Sequence, residues 1–183
     1  MSKENADKEQ KRSFKREEFS WIACIVVTIL LTEFILNFVI INANIPSGSM
    51  ENTIMTNDKL IALRTSYWFN DPKRGDIIIF KYPDDETEWF IKRVIALPGE
   101  TVLVKDGKVY INGSKKALSE PYIKEEPVED FGPYKVPKNG YFVMGDNRNN
   151  SNDAREWETH YVSRDEVLGK AWFRYYPSIK VIK

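Results

Sequence analysis

The sequence predicts a mainly β fold, with one N-terminal transmembrane helix followed by an antiparallel β domain. An uninterrupted apolar run lies near the N-terminus. Beyond it, apolar and polar residues mostly alternate, with Gly or Pro at intervals of roughly 8–12 residues and no long helical period. We therefore expect a disordered cytoplasmic tail over residues 1–19, a transmembrane helix over residues 20–41 and a β-rich extracytoplasmic domain over residues 42–183.

The apolar run "WIACIVVTILLTEFILNFVII", residues 21–41, has the length of a membrane span. A hydrocarbon core of about 30 Å requires about 20 helical residues. Glu33 is the single carboxylate in the run, and it costs a few kcal/mol on insertion unless it is protonated or paired. A cleaved signal peptide has an apolar region of only about 7–15 residues and a small-residue cleavage site, which "IINANI" does not resemble. We therefore predict a retained span.

The basic residues predict the orientation of this span. In the twenty residues that follow it, Lys59 is the only lysine or arginine. Six basic residues precede it: Lys3, Lys8, Lys11, Arg12, Lys15 and Arg16. The positive-inside rule then places the N-terminus in the cytoplasm. The expected protein is a single-pass protein of the cell membrane, with residues 42–183 outside.

The strands of the outer part follow from period-2 segments and turn residues. Asp106 and Gly107 stand between β-branched runs and predict a β-hairpin over residues 101–113. Residues 120–140 are rich in Pro and acidic side chains, which favours a long surface loop. Strands are predicted at residues 76–82, 89–97, 140–146 and 167–177.

Composition excludes several kinds of function. Lys+Arg and Asp+Glu both number 27, so the chain lacks the basic excess typical of nucleic-acid binding. The one cysteine, Cys24, lies in the apolar run, which excludes an intramolecular disulfide and a cysteine nucleophile in the outer part. The one histidine, His160, cannot supply a His-rich metal cluster. We expect no metal, no cofactor and no nucleic-acid partner.

A serine nucleophile needs a base, and two residues come into question. A Ser-His-Asp triad would require His160, whose polar surroundings predict a solvated loop, and the G-x-S-x-G and S-x-x-K motifs are absent. On a strand, Lys92 shares one face with Phe90 and Val94. Burial there would lower its pKa toward about 7–8 and make it a base. Alternatively, its stem packs while the ammonium group stays in water.

Two polar stretches also have two interpretations each. "IPSGSM" is either a linker turn after the span or a fixed backbone that aims the Ser49 hydroxyl and N–H, with the Ser47 hydroxyl, into a cleft. "FVMGDNRNNSNDAREWE" is either a surface turn with an Asp153–Arg155 ion pair or a hydrogen-bonded wall that supports a site.

Four motifs occur in order after the span: "IPSGSM", "KRGDIIIF", "FIKRVIALPGE" and "MGDNRNNSNDAR". Each is weak alone, but the ordered set is specific. Over residues 42–176 the chain resembles bacterial type I signal peptidase, the Ser/Lys leader peptidase, in its single-span Gram-positive form. The resemblance implies a largely antiparallel β structure of signal-peptidase type with an extended β groove.

The resemblance also implies a role for individual residues. Ser49 matches the nucleophile, Lys92 the general base, and Ser47 the serine whose hydroxyl joins the Ser49 N–H in the oxyanion hole. Ser151 matches the serine that hydrogen-bonds and orients the lysine. Further matches are the supporting ion pair, Asp153 and Arg155, and the lining of pockets for small side chains, Ile45, Met50, Ile54, Leu60, Phe90 and Ile91.

The sequence departs from the family pattern in four places. The proline that usually follows "SM" is replaced in "SMENTI", "GLPG" reads "ALPG", and the last motif reads "DAREW" where the family has D-S-R and an aromatic residue. The stretch "ETHYVSRDE" is about two residues longer than the common form. None of these departures touches Ser49 or Lys92.

The implied function is that of a membrane-bound serine endopeptidase that removes signal peptides from exported preproteins, with small residues expected at positions −3 and −1. Eight extended steps from Ile41 to Ser49 span at most about 26–29 Å, so the serine is expected near the bilayer surface. The implied partners are preproteins bearing signal peptides and the lipid bilayer, near the secretion translocon.

Three alternatives come from other classes of protein. The first is a membrane-anchored β domain that binds peptides without catalysis through an edge strand. The second is a self-cleaving Ser/Lys regulator, which would carry a helix-turn-helix where this sequence has its span. The third is a structural subunit of a secretion complex.

Overall fold

The computed structural model describes the backbone of residues 3–182 and the side chains of residues 18–182. The chain divides into two compact units, with the boundary between Val39 and Ile40. The first unit is helix α1, Lys3–Phe34, continued by a π-helical turn, Ile35–Val39. Within it, Glu18–Val39 has a mean hydropathy of 2.4 and is long and apolar enough to cross a membrane.

The helical unit differs from the expected tail and span at both ends. Helix α1 already begins at Lys3, whereas residues 1–19 are predicted to be disordered. Residues 3–17 contain many strong helix formers and no Gly or Pro, which explains this continuation. At the other end Ile40 and Ile41, both placed in the predicted span, belong to a strand. Glu33 also has a polar partner, since the Asn37 amide donates to its carboxylate at 3.0 Å.

The second unit consists of antiparallel strands, which confirms the predicted fold class. The larger sheet has the strand order β1-β2-β10-β3-β4-β8-β9, with β11 also paired to β10. The smaller sheet has the order β6-β5-β7. The strands are β1 Ile40–Asn44, β2 Lys59–Leu63, β3 Ile77–Tyr82, β4 Asp85–Ala96, β5 Thr101–Lys105, β6 Lys108–Ile111, β7 Phe131–Lys135, β8 Gly140–Met144, β9 Val162–Ser163, β10 Val167–Tyr176 and β11 Lys180–Val181.

The four predicted strands correspond to β3, β4, β8 and β10, and the predicted hairpin is confirmed. Asp106 and Gly107 connect β5 to β6 with φ values of 49° and 74°, as a two-residue hairpin turn requires. The predicted surface loop over residues 120–140 is wrong in part, because it contains β7. Pro133 lies in β7 without disrupting the sheet, because β7 is an edge strand and its partner β5 lies on one side only.

Two strand edges remain open and define the place of the groove. Among the described residues, β1 pairs only with β2. Strand β4 pairs with β3 along its length, but β8 joins its other side only from Arg93 onward, so residues 87–92 have a free edge. A cavity of about 240 Å³ is lined by β1 residues and by Trp89, Phe90 and Ile91 of β4. The two open edges therefore face a common cleft.

The hydrophobic core has two parts, on the two faces of β4. Ile91 packs with Ile79 and Ile45 in one cluster, whereas Val94 packs with Phe80 and Phe142 in the other. This alternation follows from the period of two in a strand. It also places Lys92, between Ile91 and Arg93, on the face of the second cluster.

We expect Phe142→Ala to lower the free energy of unfolding by about 3–5 kcal/mol, because the Phe142 side chain is fully buried and its ring packs 5.5 Å from that of Phe131. Urea unfolding of the detergent-solubilised protein, followed by tryptophan fluorescence, measures this loss. Phe69→Ala is the matched control, since Phe69 is 90% exposed and its loss should change stability by less than about 0.5 kcal/mol. Equal losses in the two variants would contradict this placement of the core.

Candidate active site

Ser49 lies on a tight turn between β1 and β2. Two backbone hydrogen bonds join the ends of the segment between these strands. The Ile45 N–H donates to the Asp58 carbonyl at 3.0 Å, and the Asn57 N–H donates to the Ile45 carbonyl at 2.8 Å. A further turn follows the serine, in which the Ile54 N–H donates to the Met50 carbonyl at 2.8 Å. The Ser49 side chain is therefore held by a backbone that is anchored at both ends, which does not fit a flexible linker.

Lys92 reaches the Ser49 hydroxyl from strand β4. Its Nζ donates a hydrogen bond to Ser49 Oγ at 2.8 Å, and the two residues are only 4% and 7% exposed. The Phe90 ring centroid lies 5.1 Å from Nζ. Burial lowers the pKa of Lys92 from its ordinary value of 10.5 to about 8, and the nearby Asp153 carboxylate partly opposes this change. The ammonium group is thus not in bulk water, which rules out the snorkelling interpretation.

Ser47 supplies a second hydroxyl beside the first. Its Oγ lies 3.5 Å from Ser49 Oγ, on the same turn. A Cβ added at Gly48 between them would lie 2.6 Å from the Glu51 carboxylate, so the Glu51 side chain would have to move to admit it. The Ser47 hydroxyl and the Ser49 N–H are therefore carried by one short segment beside the Ser49 hydroxyl.

Ser151 is buried in the same wall, but it does not make the expected hydrogen bond to Lys92. Its Oγ is inaccessible and has no hydrogen-bond partner among the described residues. Lys92 Nζ instead donates to Ser49. The Ser151 hydroxyl lies against Gly145, where a Cβ would collide with it and with the Ser49 carbonyl. This close packing holds Ser151 next to the nucleophile turn.

Asp153 and Arg155 form the ion pair that the motif implies, and it organises the loop after β8. Arg155 donates to both carboxylate oxygens, at 2.8 and 2.9 Å. Asp153 also accepts a hydrogen bond from the Gly145 N–H at 3.0 Å, and Arg155 donates to the Arg148 carbonyl at 2.6 Å. The polar loop is therefore a hydrogen-bonded wall rather than a surface turn.

Two further buried ion pairs were missed by the sequence analysis. Arg93 binds Asp146 through two hydrogen bonds of 2.8 and 2.7 Å, with both side chains at most 2% exposed. Arg148 binds Glu120 at 2.6 and 3.0 Å. Arg93 in "FIKR" and Arg148 in "GDNR" are visible in the sequence as arginines within these motifs. Their acidic partners could not be identified there, because each lies at least 28 residues away.

The predicted pocket residues fall into two groups. Ile45, Phe90 and Ile91 line the cleft, which comprises the cavity of about 240 Å³ and a neighbouring one of about 510 Å³ beside Ser49 and Lys92. The other three, Met50, Ile54 and Leu60, are at most 1% exposed and pack beneath the cleft in the cluster of Ile45 and Ile91. They can limit the size of the cleft but do not line it.

His160 has a different role from the one a triad would give it. Its Nδ1 lies 2.8 Å from the Ala154 carbonyl, and its ring packs edge-on against Phe131 and Tyr134. The titratable side chain that contacts Ser49 Oγ is instead Lys92. In the part of the chain that the structure describes, no group of three or more His, Cys, Asp or Glu side chains is arranged to hold a metal ion.

A serine in contact with a buried lysine, at the end of a groove between two open strand edges, is the arrangement of a peptidase that binds an extended chain. The family described as "Signal peptidase, peptidase S26" matches residues 18–176. The protein belongs to this family of peptidases.

Two relatives, from Synechocystis sp. and Bacillus licheniformis, agree with this assignment. The chain is 41% identical over 179 residues to a probable signal peptidase I-2 of Synechocystis sp., covering 93% of this chain and 80% of the relative. It is 35% identical over 185 residues to a signal peptidase I of Bacillus licheniformis, covering 96% and 97%. A crystal structure of a signal peptidase I from Enterococcus faecalis V583 is 36% identical, with a TM-score of 0.48, and covers 55% of this chain and 97% of that one.

We expect Gly145→Ala to lower kcat/KM by about 100-fold or more, because the added methyl group would push Ser151 and the Ser49 carbonyl apart. Displacements of about 1 Å in an active site cost on this scale. Gly113→Ala is the control, since Gly113 does not line the cleft: its φ of 68° strains any side chain, so this variant should lose some stability but keep the wild-type kcat/KM. Wild-type kinetics of Gly145→Ala would show that this contact does not position the serine.

We expect Lys92→Met to stabilise the protein at pH 7 while abolishing activity. A pKa lowered from 10.5 to about 8 means that the folded state holds the ammonium less favourably than the unfolded state, by about 3 kcal/mol. This cost is fully present below pH 8 and disappears as the pH rises from 8 to 10.5, because only the unfolded state then remains protonated. After allowing for the lost hydrogen bond to Ser49, the gain at pH 7 should be about 1–3 kcal/mol.

Chemical unfolding of both proteins at pH 7 and at pH 10.5 tests this expectation. The stability difference should shrink at the higher pH. A difference that is independent of pH would show that the lysine is not held against its ordinary pKa.

Proposed function

We propose that the protein is a membrane-bound serine endopeptidase that removes N-terminal signal peptides from exported preproteins, with Ser49 as nucleophile and Lys92 as general base. The observation that carries the proposal is the 2.8 Å hydrogen bond between two buried side chains, Lys92 Nζ and Ser49 Oγ. The substrate class is supported by relatives named signal peptidase I, such as that of Leptolyngbya laminosa, 45% identical over 164 residues.

The acylation step follows from the protonation state of the lysine. With a pKa of about 8, roughly a tenth of the Lys92 amines are neutral at pH 7 and about half at pH 8. A neutral amine accepts the Ser49 proton while Oγ attacks the scissile carbonyl. The resulting ammonium then protonates the leaving amine, which completes the transfer.

The developing oxyanion needs hydrogen-bond donors beside Ser49. We assign this role to the Ser47 hydroxyl and the Ser49 N–H, which are carried by the same anchored turn. Donors that are fixed in place before the reaction require no reorganisation as the charge develops. Loss of one such donor costs about 100- to 1,000-fold in kcat in other serine peptidases.

Deacylation uses the same amine a second time. Once Ser49 is esterified, neutral Lys92 takes a proton from a water molecule that attacks the ester carbonyl. We propose that Ser151, whose buried hydroxyl has no partner in the described structure, becomes the hydrogen-bond partner that orients the lysine at this stage. Asp153 and Arg155 act through the loop by holding the Gly145 N–H beside Ser151.

Substrate binding is expected to extend the sheet. The free edges of β1 and of residues 87–92 in β4 offer backbone groups to an extended peptide, as in β-augmentation. Small side chains at positions −1 and −3 would enter the cleft on the side of Ile45 and Ile91, while Phe90 lines it on the side of Lys92. The buried side chains beneath it, Met50, Ile54 and Leu60, leave no space for larger groups.

Membrane attachment explains why the cleft meets this class of substrate. The candidate span ends at Val39, and Ser49 follows ten residues later, which is at most about 33–36 Å of extended chain. With the basic N-terminus in the cytoplasm, the catalytic unit lies outside, close to the bilayer surface and to the translocon from which preproteins emerge. A cleavage site that follows a membrane-embedded signal sequence appears at the same level.

We expect purified full-length protein in detergent to cleave a preprotein at the end of its signal peptide, and Ser49→Ala and Lys92→Ala to reduce kcat/KM by about 1,000-fold or more. The kcat/KM of the wild type should rise with pH through about pH 8 as the Lys92 amine loses its proton. Product mass spectrometry and initial rates from pH 6 to 10 measure both effects.

The exposed residues Ser114 and Lys138 provide matched controls, and their alanine variants should behave as wild type. Near-normal cleavage by Lys92→Ala would refute the Ser/Lys assignment. Peptide binding without cleavage by the wild type would instead favour the non-catalytic peptide-binding domain.

A further inference from the structure

The cleft beside Ser49 has two walls of different character, which the alternation of β4 creates. Lys92 and Phe90 project to one face, where Phe90 stacks on Tyr82 with ring centroids 4.5 Å apart. Ile91 projects to the opposite face and packs in the apolar cluster. Glu88 lies two residues before Phe90 and therefore belongs to the face of Lys92.

Glu88 is the one acidic residue that lines the cavity of about 510 Å³. Asn150 and Asn152, from the loop after β8, line the same cavity. Burial and Asp84 raise the pKa of the Tyr82 phenol. The negative charge of Glu88 also raises this pKa, so the Glu88 carboxylate lies near Tyr82. This wall of the cleft is therefore polar, whereas the wall formed by β1, Ile79 and Ile91 is apolar.

The Glu88 charge is not neutralised by the protein. Among residues 18–182, no lysine or arginine forms an ion pair with it. Lys81, on the neighbouring strand β3, is paired with Glu86 at 3.2 Å. Asp84 and Asp85 add further negative charge to the β3–β4 hairpin, and they accept hydrogen bonds from the hydroxyls of Thr159 and Thr87, respectively. A free carboxylate thus faces the cleft at its far end.

The direction of a bound substrate follows from the chain itself. Strand β1 runs from the end of the candidate span toward Ser49, and residues 88–92 of β4 run toward Lys92 and the same serine. The part of a substrate that precedes the scissile bond also comes from the membrane and ends at Ser49. It therefore runs parallel to both strands, with its earlier residues beside the earlier residues of β4.

The register places Glu88 opposite one substrate position. Glu88 precedes Ile91, which lines the cleft next to Ser49, by three residues, or about 10 Å along a strand. A parallel substrate strand whose residue −1 lies beside Ile91 on the apolar wall therefore has residue −4 beside Glu88. Because side chains alternate, positions −1 and −3 face the apolar wall when positions −2 and −4 face the polar wall.

We propose that Glu88 forms a further substrate subsite, which selects a lysine or arginine side chain at position −4 of the preprotein and disfavours Asp or Glu there. This inference rests on the proposed function, since it assigns specificity to the same cleft. The attraction between an exposed carboxylate and a substrate cation is modest, and it decreases with added salt because such charges are screened.

The test uses three synthetic signal-peptide substrates that differ only at position −4, which is Lys, Gln or Glu. For the wild type in uncharged detergent at low ionic strength, kcat/KM should follow the order Lys, Gln, Glu, with a Lys-to-Glu ratio of about three- to tenfold. Glu88→Gln should bring the ratio close to one, and Glu88→Lys should reverse the order. Raising the salt to about 0.5 M should reduce the wild-type ratio.

Glu129→Lys is the matched control, because it makes the same change of net charge at an exposed residue that does not line the cleft, and it should keep the wild-type order. A wild-type ratio near one, or an order that Glu88→Lys leaves unchanged, would overturn the subsite while cleavage itself upholds the proposed function. Absence of cleavage of all three substrates by the wild type would overturn both.

Discussion

The withdrawal of one amine from water is the constraint around which this catalytic unit is built. An ammonium group prefers bulk solvent, and Lys92 is held away from it by Phe90, by the Ser49 turn and by the loop after β8. The one charge identified as opposing this effect is Asp153, and that carboxylate is already satisfied by Arg155 and by the Gly145 N–H. A carboxylate bound in this way attracts the lysine less than a free one would. The wall can therefore stay polar without restoring the charge on Lys92.

The loop that closes this environment is stabilised by charge pairs rather than by regular secondary structure. Residues 145–155 lie between two strands, and their backbone groups need partners from elsewhere. Arg148 donates to the Gly145 carbonyl at 3.1 Å and is itself held by Glu120. The Lys124 N–H donates to the Asp146 carbonyl at 2.9 Å, so the segment around residues 120–124 braces the loop from outside. Breaking one partner of a buried pair of this kind usually costs about 3–5 kcal/mol.

Local patterns in the sequence were enough to predict much of the fold, and tertiary contacts explain what they missed. Alternation in β3, β4, β8 and β10 and the turn residues at Asp106 and Gly107 are local signals, and these elements were found. Strand β7 contains a proline and forms only because β5 is available beside it. The last residues assigned to the span, Ile40 and Ile41, are apolar in a helix or a strand alike, and only their pairing with β2 decides between the two.

The candidate site was predictable to the extent that its residues lie in compact motifs. Ser49 and Lys92 each stand in a short recognisable stretch, so the sequence identifies both without reference to their 2.8 Å contact. The missing hydrogen-bond partner of Ser151 Oγ was not predictable from the sequence, because it depends on whether Lys92 donates to Ser49 or to Ser151. The partners of Arg93 and Arg148 come from distant segments, and no spacing rule connects them.

The unpaired edge of β4 has a consequence beyond peptide binding. An unpaired strand edge of this length can form hydrogen bonds with any extended chain, including another copy of the same enzyme. Such edges are common sites of aggregation in soluble proteins. Here the exposed end of the strand carries Asp85, Glu86 and Glu88, so two like copies that approached edge to edge would bring the same negative charges together. Carboxylates at this position therefore disfavour pairing between two copies of the chain, and they leave the strand edge available to positively charged peptides.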